Sequence, residues 1–451
     1  MLKNGNRMAF LRHMVFLIWC CPVLLLSQNF KLPSGEKFQK VKFELVNNLI
    51  IIPIEVNGAQ LSFILDSGVN KPILFNLSDK DSIQINNVSE IVIKGLGEGE
   101  PINALISSSN LFRIGEVVNT DQQLYVVMDK ELNLSPRLGI PVHGIIGYDL
   151  FRDFIVELNY SSKYLKLHDP DLYRSKKSSK TRTLPLQIIQ NKAYVQGDVL
   201  MKNKKNIPVK LLIDSGSSDA LWLFEDLDRG LGVPRDNYVD FLGQGLSGSI
   251  YGKRTKIDGI KLAGFLLKDA KTAFPDLQYF NSITSFGSRN GSLGGEVLKR
   301  FTLVFNYSER TLSLRKNTLF NHPFDFNLSG INIQHNGMRY ISESIADVNG
   351  AVLADSGKSF GDVQILFENM TRLSMVPEII VSGIRAGSPG HKAGLQEGDV
   401  ILAVNGKKVH HYKLQQILHM LNEKEGKRVK VLIERYQKDM LITYVLKDIF
   451  K

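Results

Sequence analysis

Leu61-Ser-Phe-Ile-Leu-Asp66-Ser67-Gly68-Val-Asn-Lys-Pro-Ile-Leu74 and Val209-Lys-Leu-Leu-Ile-Asp214-Ser215-Gly216-Ser-Ser-Asp-Ala-Leu-Trp222 follow one pattern. In each, a mostly apolar run ends in Asp-Ser-Gly and a further apolar position follows. The two aspartates are 148 residues apart. Downstream, Ile145-Ile146-Gly147 leads to Phe154 and Tyr160, and Ser292-Leu293-Gly294 leads to Phe301 and Tyr307, all at an offset of 147. Between these lie glycine clusters, Gly95-Leu-Gly97-Glu-Gly99 and Gly243-Gln-Gly245-Leu-Ser-Gly248, with Gly97 and Gly245 each 31 residues after their aspartate. Three elements repeating in one order show an internal duplication, and such a repeat sets the architecture.

Short strand-like runs separated by turn residues, such as Ile50 to Gly58 and Tyr194 to Leu200, argue for a mainly β fold of barrel or sandwich type. The first half is expected over 38–168 and the second over 184–318. The polar stretch 169–183 would link them. Its basic run, Lys176-Lys-Ser-Ser-Lys-Thr-Arg182, has no interleaved aromatics and reads as a solvated linker, not a nucleic-acid surface.

An isolated Asp-Ser-Gly is most simply a turn, since all three residues favour turns. The duplication changes that reading. Duplicated halves pair about a pseudo-twofold axis as homodimers pair about a true one, which would bring Asp66 and Asp214 together. Two adjacent carboxylates share one proton and titrate as a unit. The ionised oxygen can take a proton from a water held between them, and the protonated one can bind a carbonyl oxygen and later serve a leaving amine. Ser67 and Ser215 can hydrogen-bond across the seam. Gly68 and Gly216 permit the tight turn, Gly147 and Gly294 allow a neighbouring strand to pass close, and Gly97, Gly99, Gly243 and Gly245 mark hairpins that can close as lids.

This combination resembles the retropepsin-like aspartic proteases, in a single chain with two halves. Together with the module described next, it is similar to PDZ-containing aspartyl proteases of Bacteroidetes-type bacteria. The resemblance implies duplicated pepsin/retropepsin-like barrels forming one bilobed enzyme, with Asp66 and Asp214 catalytic, no cofactor, no metal, and a protein or peptide substrate. Ser67 and Ser215 stand where threonine is commoner, Val69 where a small residue is, and Ser292 puts a polar residue ahead of the second glycine. Asp355-Ser356-Gly357 lacks the later apolar-Gly element and is expected to be a plain turn.

Residues 322–447 form the third unit. Ser388-Pro389, Ala393-Gly394-Leu395, Gly398-Asp399-Val400-Ile401 and Val404-Asn405-Gly406 resemble the PDZ signature. Leu414, Ile417, Leu418 and Leu421 give one apolar helix face, and strand-like runs close the chain. PDZ domains add a peptide to a sheet edge and hold its terminal carboxylate on backbone N–H groups. Leu328-Ser329-Gly330-Ile331 is the candidate carboxylate loop, though a plain strand start reads equally simply. The expected ligand is a peptide C-terminus. Residues 336–375 fit no simple element.

Lys3, Arg7 and Arg12 precede the apolar run Met14 to Leu26, so residues 1–28 read as a secretory signal, or as an uncleaved anchor. The resulting expectation is an exported protein, periplasmic or secreted, with no stable membrane span once the signal is gone. Both cysteines, Cys20 and Cys21, fall within that segment, so the remaining chain has neither disulfide nor thiol nucleophile. The net charge of +11 falls to +8 without the three leader cations and is spread out. A non-catalytic peptide-binding protein on a lapsed protease scaffold remains the alternative. Retention of both aspartates weighs against it, and the PDZ signature weighs against a generic sugar- or cell-wall-binding β protein.

Overall fold

A computed structural model describes residues 29–77, 83–97, 99–128, 132–175, 178–201, 205–280, 289–346 and 369–450. The expected leader, both cysteines and Asp355-Ser356-Gly357 lie outside the described residues. Among those described, no helix is long and apolar enough to cross a membrane.

Two eight-stranded sheets have the same strand order. The first runs Glu44–Val46, Leu49–Val56, Ala59–Leu65, Gly144–Ile146, Ile73–Leu74, Val117–Val127, Ile102–Ile114, Ser89–Ile93. The second runs Gln187–Ile189, Lys192–Met201, Lys205–Asp214, Gly291–Gly294, Leu221–Leu223, Phe265–Pro275, Gly248–Leu262, Asn237–Gly245. Each closes on itself by one further pairing, Leu49–Val56 with Ile102–Ile114 and Lys192–Met201 with Gly248–Leu262. Closure leaves fewer free edges than an open sheet would. The alternation of Leu49–Val56, buried at Ile50, Ile52, Ile54 and Val56, puts one face into the barrel.

A six-stranded antiparallel sheet joins the halves, three strands from each: Phe38–Lys42, Tyr164–His168, Ile155–Asn159, then Phe301–Asn306, Thr311–Lys316, Thr181–Pro185. At its centre Val156 faces Phe305, Glu157 faces Val304 and Leu158 faces Leu303. Glu157 and Val304 differ by the repeat offset of 147, so the pseudo-twofold axis passes between them. Thr181–Pro185, at the end of the stretch expected to be linker, is the edge strand of this sheet. One apolar core runs through both halves, from Phe30 to Phe324. Leu158, Leu303 and Phe305, which flank the axis, belong to it, so the halves are packed as one body.

A separate core, Ile331 to Leu446, holds the C-terminal domain. Its sheet order is Ile331–Ala346, Asn369–Ile384, Val400–Val404, Arg428–Arg435, Lys438–Val445, with Lys407–Lys408 beside Val400–Val404. The helix Leu414–Leu421 buries Leu414, Ile417 and Leu421 on the face expected from the sequence. The region that fitted no simple element supplies the outer parts of a long hairpin, paired from Ile331↔Ile384 out to Ala346↔Asn369. Among the described residues Ile331–Ala346 has a strand partner on one side only, and the short helix Ser135–Leu138 of the first half packs against it.

Candidate active site

Asp66 follows the strand Ala59–Leu65, and Asp214 ends the strand Lys205–Asp214. Each of these strands pairs in parallel with the later glycine-bearing strand of its half, Phe63 beside Gly144 and Leu211 beside Gly291. The Asp66 N–H donates to Ile146 O at 2.8 Å. A Cβ at Gly147 would lie 1.8 Å from the Asp66 carbonyl oxygen, and one at Gly294 would lie 2.3 Å from that of Asp219. Close approach of backbone to the aspartate loop is therefore why both positions are glycine.

The two loops are locked together across the axis. The Ser67 N–H donates to Ser215 Oγ at 2.9 Å, and the Ser215 N–H to Ser67 Oγ at 3.1 Å. Ser67 Oγ donates on to Ile213 O and Ser215 Oγ to Leu65 O, both at 2.8 Å. Both serines are buried. Both hydroxyls and both backbone N–H groups of the pair are used, which is what a buried polar network requires.

That lock places the carboxylates side by side. A Cβ at Gly68 would sit 3.1 Å from Asp66 Oδ1 and 3.7 Å from Asp214 Oδ1, and one at Gly216 would sit 2.3 Å from the Asp66 carboxyl carbon. Both glycines thus leave room for the acid pair. The Gly68 N–H donates to Asp66 Oδ1 at 2.6 Å, and the nearby Gly216 N–H pulls both carboxyls down. Burial pushes both carboxyls up. The charge of Asp66 raises Asp214 further, to about 7, against the opposing pull of Arg289 and Lys192. Such a pair holds one proton between two acids near neutral pH.

Sequence reasoning missed several charged groups here. Lys192 and Arg289 face the pair and line the same cavity. Asp219 accepts the Trp222 indole N–H at 2.7 Å and two Arg254 N–H groups at 2.7 and 3.3 Å. Arg254 also reaches Asp240 at 2.7 Å, tying the second aspartate loop to the arm of the second lid hairpin. Asp219 was visible in its motif; Arg254, 35 residues further on, and Asp240, 21 further on, carried no signal.

The two glycine-rich hairpins meet tip to tip. The Ser247 N–H donates to Leu96 O at 2.9 Å, the Gly99 N–H to Ser247 O at 2.5 Å, and the Gly95 N–H to Ser247 Oγ at 3.0 Å. Gly95, Gly97, Gly99 and Gly245 stand at this junction; Gly243 lies in the hairpin arm beside a β-bulge.

A cavity of about 2030 Å³ runs beneath these hairpins and continues along the C-terminal domain, reaching Leu328, Ile333, Leu418 and Asn422. That domain touches the first half where Gln415 donates to Leu138 O at 3.3 Å, and the second where Arg385 lies 4.3 Å over the Tyr238 ring. The Leu328 to Ile331 loop does precede the edge strand of the domain. Its N–H groups, however, are already engaged. Ser329 donates to Asn422 Oδ1 at 3.0 Å, Gly330 to Asn327 Oδ1 at 2.8 Å, and Ile331 to Ser329 Oγ at 3.2 Å. Asparagine oxygens occupy the place expected for a peptide carboxylate.

Residues 52–150 match the family model described as aspartyl protease, and residues 380–435 match that of the PDZ domain. The chain thus carries an aspartyl protease-type region and a C-terminal PDZ domain. Among solved structures it is similar to the aspartic proteinase from Irpex lacteus, at 11% identity, over 63% of this chain and 99% of that one, with a TM-score of 0.38. The second half lies outside the family match and repeats the first strand for strand.

Proposed function

We propose that the protein is an aspartic endopeptidase, with Asp66 and Asp214 as its catalytic pair. The observation that carries this reading is the reciprocal Ser67–Ser215 lock, which fixes two buried carboxylates side by side at the floor of a covered cleft. In the proposed reaction the ionised carboxylate takes a proton from water as the water oxygen attacks the peptide carbonyl carbon. The protonated carboxyl donates to the carbonyl oxygen. Collapse of the tetrahedral species breaks the C–N bond, and the amine leaves with a proton from the pair. The contacting hairpins must part to admit a chain and re-form over it, excluding water.

The PDZ domain, in this reading, binds substrate or partner peptides along the outer strand Ile331–Ala346. The cavity it shares with the cleft supports delivery of a bound chain toward the aspartates. Residues 1–28 would direct export to the periplasm or beyond.

A peptide-library digest tests the proposal. Purified protein should cleave, statine-type inhibitors should block it, and Asp66→Asn or Asp214→Asn should each abolish cleavage while leaving the fold intact. Full activity in either variant would assign the chemistry elsewhere.

A further inference from the structure

The PDZ domain meets the first half at one end of its own peptide groove. The helix Leu414–Leu421 packs against Ile331–Ala346, and Ile333, Gln415 and Leu418 line the cavity there. A peptide added beside that strand would lie along this helix. The helix ends at Asn422, which holds the Leu328 to Ile331 loop. Its first turn therefore lies ~10 Å from that loop, at 1.5 Å per residue. At this far end the first half intrudes. The short helix Ser135–Leu138 packs against Ile331–Ala346, and the Gln415 side chain donates to Leu138 O at 3.3 Å. Gly139, with φ of 71°, brings backbone so close that a Cβ there would lie 2.7 Å from Leu414 Cβ.

The same short helix also reaches the second lid. Arg137, next to Leu138, lies 4.2 Å over the Phe241 ring. Phe241 stands in the arm of the second lid hairpin, opposite Tyr251 on the returning strand, with the two rings 5.7 Å apart. A first-half cation thus grips a ring pair that spans both strands of a second-half lid. The base of the helix is fixed. Ser135 Oγ accepts the Asn76 side-chain amide at 2.8 Å and the Val142 N–H at 2.9 Å, and Leu138 is buried in the first half. A turn this short and this firmly held passes a displacement at Leu138 on to Arg137.

We propose that Ser135–Leu138 is a latch that fills the end of the PDZ groove and, through Arg137, holds the second lid shut. A peptide that runs the whole groove displaces the latch and frees the lid. The releasing ligand is an extended peptide with an apolar side chain for Ile333 and Leu418. A groove of ~10 Å takes about three extended residues at ~3.3 Å each, so only longer chains collide with Leu138. A cation over a ring is a weak contact, which suits one that must break and re-form. The lid tips, joined through Leu96 and Ser247, are not part of the latch, so a freed lid opens more readily and still closes over substrate. The latch stands apart from the chemistry of the cleft; its effect on cleavage rests on the aspartic-peptidase reading.

The test uses the full-length protein. In the Asp214→Asn background, amide exchange at residues 237–251 reads the lid without turnover. Arg137→Ala should quicken it about 5-fold, as should Phe241→Leu, which breaks the same contact from the other side. Gln415→Ala, in the PDZ domain, should quicken it about 3-fold. Both routes pass through one helix, so Arg137→Ala combined with Gln415→Ala should be no faster than Arg137→Ala alone. With both aspartates present, each variant should raise kcat/KM on a hexapeptide substrate about 3-fold. Decapeptides carrying one Leu among Ser, Thr and Gly should bind Gln415→Ala about 5-fold more tightly than the parent in calorimetric titrations, while tripeptides should not distinguish the two. Unchanged lid exchange in Gln415→Ala, multiplied effects in the double variant, or equal decapeptide titrations would each overturn the latch and leave the protease standing. The stated exchange pattern with no cleavage by any variant would overturn the protease and leave the latch standing. Slower cleavage with faster exchange would make Arg137 part of closure over substrate and overturn the proposal.

Discussion

Ser67 and Ser215 each accept the other's backbone N–H, at 3.1 and 2.9 Å, across an axis that relates them by the internal repeat. Their hydroxyls also satisfy the carbonyls of Ile213 and Leu65. Removing one hydroxyl therefore strands a buried N–H and a buried C=O at once. Ser67→Ala or Ser215→Ala should each cost about 2–4 kcal/mol of stability, since an orphaned buried polar group costs roughly 1–3 kcal/mol. Threonine at either place should cost far less. Urea denaturation at fixed pH measures this, and an alanine variant as stable as the parent would show that the seam is held by other contacts.

The acid pair should make stability depend on pH. Asp66 and Asp214 are raised in the folded state, Asp214 from 3.8 to about 7. The folded protein then binds more protons than the unfolded chain within that window, so stability falls as pH rises through it. The penalty is absent below about pH 4 and complete above about pH 7. Asp214→Asn removes much of it. Its stability should match the parent near pH 4 and exceed it by a few kcal/mol at pH 8, since each tenfold change in proton affinity is worth ~1.4 kcal/mol. Proteolysis should fall on the alkaline side near pH 7 as the shared proton is lost. Denaturant midpoints and kcat/KM across pH 4–8 check both, and a flat difference between the two proteins would contradict the sharing of a proton.

The pairing of the aspartates was proposed from sequence because motif, spacing and order repeat at offsets of 148 and 147. The halves' barrel character followed from the same pattern. What the sequence concealed depends on contacts between distant segments. Lys192 lies 22 residues before Asp214 and outside every repeated motif; only the correspondence of its turn with Asn47-Asn48 marks it. The central pairing of Glu157 with Val304 joins segments that each read as ordinary strands. The engaged state of the Leu328 to Ile331 loop depends on Asn422, 93 residues from Ser329.

The lid hairpins interlock through backbone, which makes their junction sensitive to a single methyl group. A Cβ at Gly245 would lie 2.0 Å from the Leu96 carbonyl oxygen. Gly245→Ala must push the tips apart while leaving both barrels untouched. Cleavage should drop about 10-fold in kcat/KM, the equivalent of ~1.4 kcal/mol. Amide hydrogen exchange at residues 95–97 and 245–248 should quicken, while thermal stability changes little. Unaltered cleavage with faster exchange would show that contact between the tips is dispensable for closure over substrate.

The PDZ loop poses a competition between an internal ligand and an external one. Asn422 Oδ1 accepts the Ser329 N–H, and Asn327 Oδ1 accepts that of Gly330. A peptide carboxylate entering this loop would have to displace those oxygens, exchanging one set of hydrogen bonds for another. The net gain from a free C-terminus should therefore be small in the parent protein, with free and amidated peptides binding within about 3-fold. Asn422→Ala leaves the Ser329 N–H without its partner and open to a carboxylate. The free acid should then bind about 10-fold more tightly, consistent with ~1.5 kcal/mol or somewhat more for a hydrogen bond to a charged group, while the amide stays unchanged. Asn422 also caps the helix Leu414–Leu421 by donating to Leu418 O at 3.0 Å, so the variant's melting temperature must be measured alongside. Calorimetric titration of paired peptides decides the matter. A strong preference for the free acid in the parent would mean that the loop rearranges to cap chain ends. Indifference in both proteins would mean that the edge strand Ile331–Ala346 reads internal segments.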